Sequence, residues 1–299
     1  MAGRVVAFVV AIAMVIGSLA LRSHLDQNSR TLRLTCSTEL ATACQRLGGN
    51  VRLTVEPMGV TADRLTALAD GEDPGMDGWL VGGPWPQNVD AARQAAGRQP
   101  LFAGTTTPVA NSPLVAMAAA GRLPTLRQAC DWLCIAKAAG PHMNIPDPAS
   151  SAAGVAVLGA VSDELFKGRS FDRNDPDLLS ALARLHDATK LPAADAMATV
   201  LTTPSLTDLA AGAEAEAMSV LATAADRNGA VVLYPSKVVA DVELGTIGAS
   251  GSAGDLGRLV RGSAGAKALT EARWRVGPPP PGTTTDPGVL AALRSLWSS

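Results

Sequence analysis

The feature that most constrains this chain is an alternation of short apolar strands and amphipathic helices, which begins after residue 30. Apolar residues alternate within the strand segments and recur at helical spacing between them, and Gly48-Gly49 ends the first helix. A β-α-β-α-β order predicts a parallel sheet whose ligand-binding loops lie at the carboxyl ends of its strands. The predicted elements are strand 31–36, a helix from 37 to about 47, strand 51–55, helix 61–69 and strand 78–81.

Two loops follow strands of this predicted sheet. Ser37-Thr38 comes directly after the first strand, and Gly82-Gly83-Pro84-Trp85 follows the third. Both loops are therefore expected at the edge of the sheet where ligands bind. Trp85 is either a wall of that site or an ordinary packed aromatic.

A third candidate segment covers residues 144–154. Its two prolines hold the chain extended and keep Asp147 out of helical conformation. Ser150 or Ser151 can then cap the helix that follows. The unpaired N–H groups and the positive dipole end of a helix start suit an anion or a polar ligand oxygen. By its local chemistry the segment is either such a site or simply a turn with a helix cap.

The sequence Pro-Asp-Pro-Ala-Ser-Ser-Ala-Ala-Gly, at residues 146–154, resembles the ligand loop of extracellular solute-binding proteins. These proteins have the type II periplasmic-binding fold, and the similarity is to their molybdate- and sulfate-binding-like branch. The resemblance implies a two-lobed α/β protein in which each lobe is a sheet flanked by helices, with a ligand cleft between the lobes. It places residues 31–108 and 226–299 in lobe one and residues 109–225 in lobe two.

The resemblance also implies which residues bind the ligand. Ser37 and Thr38 match the family's first-strand loop, and Tyr234 matches a Tyr-Pro segment from which a tyrosine can reach into the cleft. From its own sequence context, Tyr234 is equally a core tyrosine with one satisfied hydroxyl. The loop around Gly83 departs from the family, whose molybdate-type members tend to have a Ser or an acidic residue there. The implied ligand-binding residues are Ser37, Thr38, Gly83, Asp147, Ser150, Ser151 and Tyr234.

The first 30 residues are predicted to be a signal peptide or an N-terminal membrane anchor. Arg4 precedes an apolar run from Val5 to Ile16, and Ser18-Leu19-Ala20 forms a small-x-small pattern. Extended to Leu21, the run is at the short limit of a membrane span. The imperfect cleavage pattern favours an anchor. Either alternative predicts an extracytoplasmic protein, secreted or held at the outer face of the cytoplasmic membrane.

Four cysteines are expected to form disulfides in an exported chain. They fall into two local pairs, Cys36 with Cys44 and Cys130 with Cys134, and these are the predicted linkages. A regular helix would hold Cys130 and Cys134 too far apart for a disulfide, so a local distortion is expected there. The chain from Cys36 to Cys44 must likewise be less than fully helical.

Composition and motifs exclude several function classes. The formal net charge is −2 and only 3% of the residues are aromatic, which disfavours nucleic acid as a partner. The three histidines and the cysteine spacings form no metal-ligand pattern, so neither a metal nor a cofactor is predicted. No Walker loop, HExxH or GxSxG motif is present, which argues against an enzyme.

The Ala-rich segment from Asp208 to Ala225 is predicted to be mostly helical. Glu214 and Glu216 lie on this predicted helix. We expect both carboxylates on its solvated surface rather than in a site.

Together these observations predict an exported protein that captures a small polar solute, an oxyanion in the first instance, for an ABC-type transporter. Its partners would be a membrane permease or, as in some relatives of this type, a von Willebrand A-like domain. The alternatives are a tethered sensory or interaction module of the same fold and an exported hydrolase.

Overall fold

The computed structural model describes residues 31–126, 130–188, 191–247 and 251–297. The predicted targeting segment, residues 1–30, lies outside this part of the chain. Among the described residues, no helix combines the length and the apolar character needed to span a membrane.

The strands form a mixed sheet in the order β2-β1-β3-β8-β4-β6-β5, with β7 and β9 also paired to β4. Within the described ranges the strands are β1 Leu32–Ser37, β2 Val51–Glu56, β3 Gly78–Gly82, β4 Thr106–Ala118, β5 Met143–Asn144, β6 Leu209–Ala213, β7 Val231–Leu233, β8 Val239–Thr246 and β9 Arg275–Val276.

Helices cover the faces of this sheet. Short 3-10 turns occur at Thr38–Leu40 and Ala120–Thr125. The α-helices of the described residues are α1 Ala41–Gln45, α2 Met58–Ala67, α3 Trp85–Ala95, α4 Trp132–Lys137, α5 Ala152–Leu165, α6 Pro176–His186, α7 Ala193–Thr202, α8 Glu214–Thr223, α9 Gly251–Arg261, α10 Ser263–Glu271 and α11 Pro287–Trp297.

The parallel opening of the sheet is confirmed. Strand β1 pairs in parallel with β2 on one side and with β3 on the other, with Cys36 opposite both Val55 and Leu80. The carboxyl ends of β1 and β3 therefore meet at one edge. Ser37 closes β1 at that edge, and Gly82 closes β3.

Strand β4 is shared by two parts of the sheet. Its first half, Thr106–Pro113, pairs antiparallel with β8 in the same part as β1 and β3. Its second half, Leu114–Ala118, pairs with β6, which in turn pairs in parallel with β5. We call these the first sheet and the second sheet. Strand β7 pairs with the second half, opposite Ala116–Ala118.

Each sheet has its own apolar core, and α5 contributes to the contact between the two. Leu34, Leu80 and Leu244 belong to the core of the first sheet, whereas Val157 of α5 lies in that of the second. At its start, α5 turns toward the first sheet, where Ala152 and Val155 pack with Met58, Trp79 and Trp85. Trp85 is 1% exposed and belongs to this cluster, which agrees with the packed-aromatic alternative.

Both predicted disulfides are confirmed, with Cα–Cα distances of 6.6 Å for Cys36–Cys44 and 5.3 Å for Cys130–Cys134. Cys36 lies in β1 and Cys44 in α1, so the chain between them is a strand end and a turn rather than a continuous helix. Cys130 precedes α4, whose N-cap is Asp131. Because only Cys134 is helical, the spacing of a regular helix does not apply to this pair.

The segment from Asp208 to Ala225, predicted to be mostly helical, is helical only in its second part. Residues 209–213 form strand β6, and the helix begins only at Glu214. All five residues of this strand are buried, between β4 and β5. A strand buried on both faces loses the apolar–polar alternation that identifies a strand in sequence, and its composition of Leu, Ala and Gly resembles that of the helix after it.

Candidate functional site

A cleft of about 420 Å³ lies where the end of β1 faces the start of α5. The first sheet contributes Thr38 and Glu39, in the turn after β1. The loop before α5 contributes Ser150 and Ser151, and α8 contributes Glu216. Pro57, Pro146, Pro192 and Trp274 supply apolar wall. The cleft is thus formed jointly by loops of both sheets.

Four of the predicted ligand-binding residues meet at this cleft. Thr38, Asp147, Ser150 and Ser151 all line it. Thr38 is exposed to it, whereas Ser151 is 7% exposed. The sequence pattern therefore locates two opposing walls of one cavity, and contact of these residues with a solute stays a prediction.

The other three predicted residues do not line this cleft. Ser37 is fully buried at the end of β1. Gly83 packs so closely on the Asp241 carboxylate that a Cβ atom would overlap it. Tyr234 is 51% exposed, and its hydroxyl donates to Glu214 Oε1 at 2.6 Å.

The start of α5 has a partner for each of its first four N–H groups. The N–H of the N-cap residue Ser151 donates to the Asp147 carbonyl at 2.8 Å. The next two, of Ala152 and Ala153, donate to the Glu39 carboxyl group. The fourth, of Gly154, donates to Ser151 Oγ at 3.2 Å.

Glu39 reaches this helix start from the opposite wall. Its carboxyl group accepts the two α5 N–H groups and, in addition, the hydroxyl of Ser151. Burial raises the pKa of the Glu39 carboxyl group, and these three hydrogen bonds oppose the shift by stabilising the ionised form. An acidic side chain of the chain itself thus occupies the position at which a helix start receives an anion.

Glu216 is the second acidic residue that was not predicted in the site. It lies in the first turn of α8, and its Oε2 accepts the Ala213 N–H at 3.0 Å. Burial, followed by the negative charge of Glu39, raises its pKa to about 8. The expectation of a solvated Glu216 is therefore wrong. Sequence carries little signal for this, because the residues that enclose Glu216 come from distant segments.

Asp147 holds the loop before α5 in place. Its Oδ1 accepts the Ala149 N–H at 3.0 Å and the Trp297 indole N–H at 3.2 Å. Its carbonyl accepts the N–H groups of Ser150 and Ser151. These contacts give Asp147 a structural task at the rim of the cleft.

The charged residues that line the cleft are all acidic within the described part of the chain: Glu39, Asp147 and Glu216. No Lys, Arg or His is among its described lining residues. The described ranges also contain no group of three or more His, Cys, Asp or Glu side chains suited to a metal ion.

No family model matches the sequence, and no curated protein matches it. Solved structures match along most of their length. Iron-bound HitA from Pseudomonas aeruginosa superposes with a TM-score of 0.61 at 15% identity, covering 89% of this chain and 97% of that one. The chain has the fold of the type II periplasmic binding proteins.

Two further structures agree with this fold. The substrate-binding protein of an ABC transporter from Agrobacterium tumefaciens gives a TM-score of 0.56 at 13% identity, covering 86% of this chain and 83% of that one. The sulfate-binding protein SubI from Mycobacterium tuberculosis gives 0.53 at 15% identity, with coverages of 89% and 91%. Because iron- and sulfate-binding proteins are both similar, the fold does not single out the molybdate- and sulfate-binding-like branch.

Proposed function

We propose that the chain is a solute-binding protein that captures a small polar solute between its two lobes. The observation that carries this proposal is the cleft itself, since Thr38 and Glu39 face Ser150 and Ser151 across it. A cavity of about 420 Å³ falls within the range of roughly 300–1,000 Å³ that small-molecule sites occupy. The similar structures are binding proteins, which supports binding rather than catalysis.

The proposal includes an extracytoplasmic location and delivery of the solute to an ABC-type permease. Three observations support it: the apolar N-terminal segment, the two disulfides and the similarity to a transporter's substrate-binding protein. Tethering by the N-terminal segment and pairing with a von Willebrand A-like domain remain part of the proposal as predicted from sequence.

The lining of the cleft favours an uncharged or positively charged solute over the oxyanion expected from the resemblance. Three carboxyl groups face the space, and no basic side chain lines it within the described ranges. A like charge close to these groups is unfavourable, whereas hydroxyl, amide or ammonium groups can donate to them.

We also propose lobe boundaries that follow the strand pairing. The predicted divisions at residues 108 and 226 lie close to two places where the chain passes between the sheets. The first passage is within β4, between Pro113 and Leu114. The second is in 234–238, between β7 of the second sheet and β8 of the first. Helix α11 packs on α5, so we group residues 287–297 with the second lobe.

The test begins with mass spectrometry of small molecules that copurify with the protein, followed by titration calorimetry with the solute found. Thr38→Val removes a hydroxyl in the cleft, and we expect about tenfold weaker binding, which is ~1.4 kcal/mol. Thr270→Val makes the same change at an exposed position of α10 and is expected to leave affinity unchanged. Equal affinities for the wild type and both variants would contradict binding in this cleft.

A further inference from the structure

We propose that Glu39 determines the charge class of the solute, because its side chain fills the anion position at the start of α5 and so excludes free oxyanions. The role in selecting a solute rests on the proposed function. Its structural basis, a contact between two residues on opposite walls, is independent of which solute the protein carries.

The backbone N–H groups at the start of α5 are already engaged. An oxyanion bound there needs N–H groups that are free to donate. Two of the first four in α5, those of Ser151 and Gly154, are used within the loop and the cap itself. The remaining two, and the Ser151 hydroxyl, donate to Glu39. An incoming oxyanion would therefore have to displace the Glu39 side chain.

Displacement of the Glu39 side chain by an oxyanion would be unfavourable. The Glu39 carboxyl group would lose three donors and would remain in the cleft beside the incoming anion. Glu216 and Asp147 also line this space, and no described basic residue of the lining is available to pair with the displaced group. Two negative groups in one partly desolvated cavity repel each other, so exchange is unfavourable.

Glu39 is held in place by the structure around it. It lies in the 3-10 turn Thr38–Leu40, directly after β1, and the Cys36–Cys44 disulfide closes the loop that contains this turn. Leu40, the next residue, is 1% exposed and anchors the turn in the core of the first sheet. A group held in this way is already in place at the helix start, so a free anion must displace a preorganised competitor.

A solute that fits beside Glu39 therefore differs in chemistry from one that fits in its place. The remaining lone pairs of Glu39 and Glu216 accept hydrogen bonds, so they suit a solute with hydroxyl, amide or ammonium groups. Such a solute would contact the acidic wall and Trp274 rather than the N–H groups of α5.

The test uses acetate and sulfate as probes, titrated into the wild type, Glu39→Ala and Glu216→Ala at constant ionic strength with chloride. Wild-type protein is expected to show no saturable binding of either anion up to about 10 mM, well above the affinities of dedicated anion sites. Glu39→Ala vacates the helix start, so we expect it to gain saturable acetate binding. We also expect acetate, but not chloride or acetamide, to restore the melting temperature that this variant loses.

Glu216→Ala is the matched control. It removes one carboxyl group from the same cleft but leaves Glu39 on α5, so no gain of anion binding is expected. If Glu216→Ala gained acetate binding as Glu39→Ala does, general charge repulsion would explain the exclusion and the proposal would be overturned. Saturable sulfate binding by the wild type would overturn it too, as would a folded Glu39→Ala protein that binds neither anion.

If Glu39→Ala does not fold, Glu39→Gln and the wild type still decide the matter. Glutamine keeps the position filled, so acetate should neither bind to this variant nor stabilise it, and acetate binding would refute a filled site. These measurements use no native solute. If the anion experiment contradicts the role of Glu39, the proposal of solute binding still stands. If no solute is found, the anion experiment still tests the role of Glu39.

Discussion

Glu216 couples the chemistry of the cleft to the stability of the fold. Its pKa is raised from 4.5 to about 8, first by burial and then by the charge of Glu39. A carboxyl group with a higher pKa in the folded state binds protons more tightly there than in the unfolded chain. Its contribution therefore favours folding below about pH 4.5 and is lost progressively as pH rises through about 8.

Glu216 should make the stability of the protein depend on pH. Between pH 5 and pH 8 we expect Glu216 to lower the free energy of unfolding by about 1–3 kcal/mol. Urea denaturation at several pH values measures this slope, and Glu216→Gln should remove its share. Glu164→Gln, which removes the pair between Glu164 of α5 and the exposed Lys167, should leave the slope as it is. A slope retained in full by Glu216→Gln would contradict the assignment.

The sequence predicted residues of the cleft walls better than it predicted the charged groups within the cleft. Ser150 and Ser151 were found because Pro-Asp-Pro before a small-residue helix is a local pattern, and Thr38 because it follows a strand. Glu39 was visible only as an acidic residue in a first turn. Its partners are more than 100 positions away in sequence, and only the folded chain brings them together.

The buried side chain of Arg93 joins several helices and loops around the first sheet. Its guanidinium, on α3, donates to the carbonyls of Leu65 and Leu68 at 2.8 and 2.7 Å. It also donates to the Gln99 carbonyl at 2.7 Å and to Asp70 Oδ1 at 2.9 Å. The side chain is 1% exposed, and Leu65 and Leu68 are buried too, so their two carbonyls have little water to replace it, whereas Asp70 is 46% exposed. One cation thus fixes the end of α2, the loop that follows α2 and the loop that follows α3.

We expect Arg93→Met to lower the free energy of unfolding by about 3–5 kcal/mol, because it leaves two buried carbonyls and two partly buried acceptors without their donor. Arg98→Met is the matched control, since the Arg98 side chain donates to the Thr66 carbonyl and is partly exposed. Its loss should stay below about 1 kcal/mol. Chemical denaturation compares the two, and equal losses would contradict the role given to Arg93.

Sequence predicted the elements well where their periodicity was distinct. The β-α-β-α-β opening and its parallel pairing were predictable, because apolar alternation marks the strands and Gly48-Gly49 ends the first helix. Strand β6 was not, because Leu209–Ala213 is buried on both faces and composed of small residues. Pairing to β4 decides its conformation, and that pairing depends on a strand about 100 positions earlier.

Close backbone contacts join the two walls of the cleft, in addition to the contact between Glu39 and α5. A Cβ atom at Gly59 would lie 2.5 Å from the Ala149 carbonyl oxygen, and one at Gly82 would overlap Ala152. The chain passes between the lobes within β4, at residues 234–238 and again between β9 and α11. We expect any bending that separates the walls to occur at these passages.

The bridge from Glu39 to α5 has a consequence for the kinetics of capture. If a solute can enter the cleft only after the joined walls separate, separation becomes a step with its own rate constant. In stopped-flow measurements of tryptophan fluorescence, the observed rate of binding should reach a plateau as solute concentration rises, and that plateau is the rate of opening. Glu39→Gln weakens the bridge, so its plateau should be higher. A rate that rises linearly without limit in the wild type would mean that the solute binds to a cleft already open. With a plateau, the protein itself sets an upper limit on how fast it can load, however abundant the solute becomes.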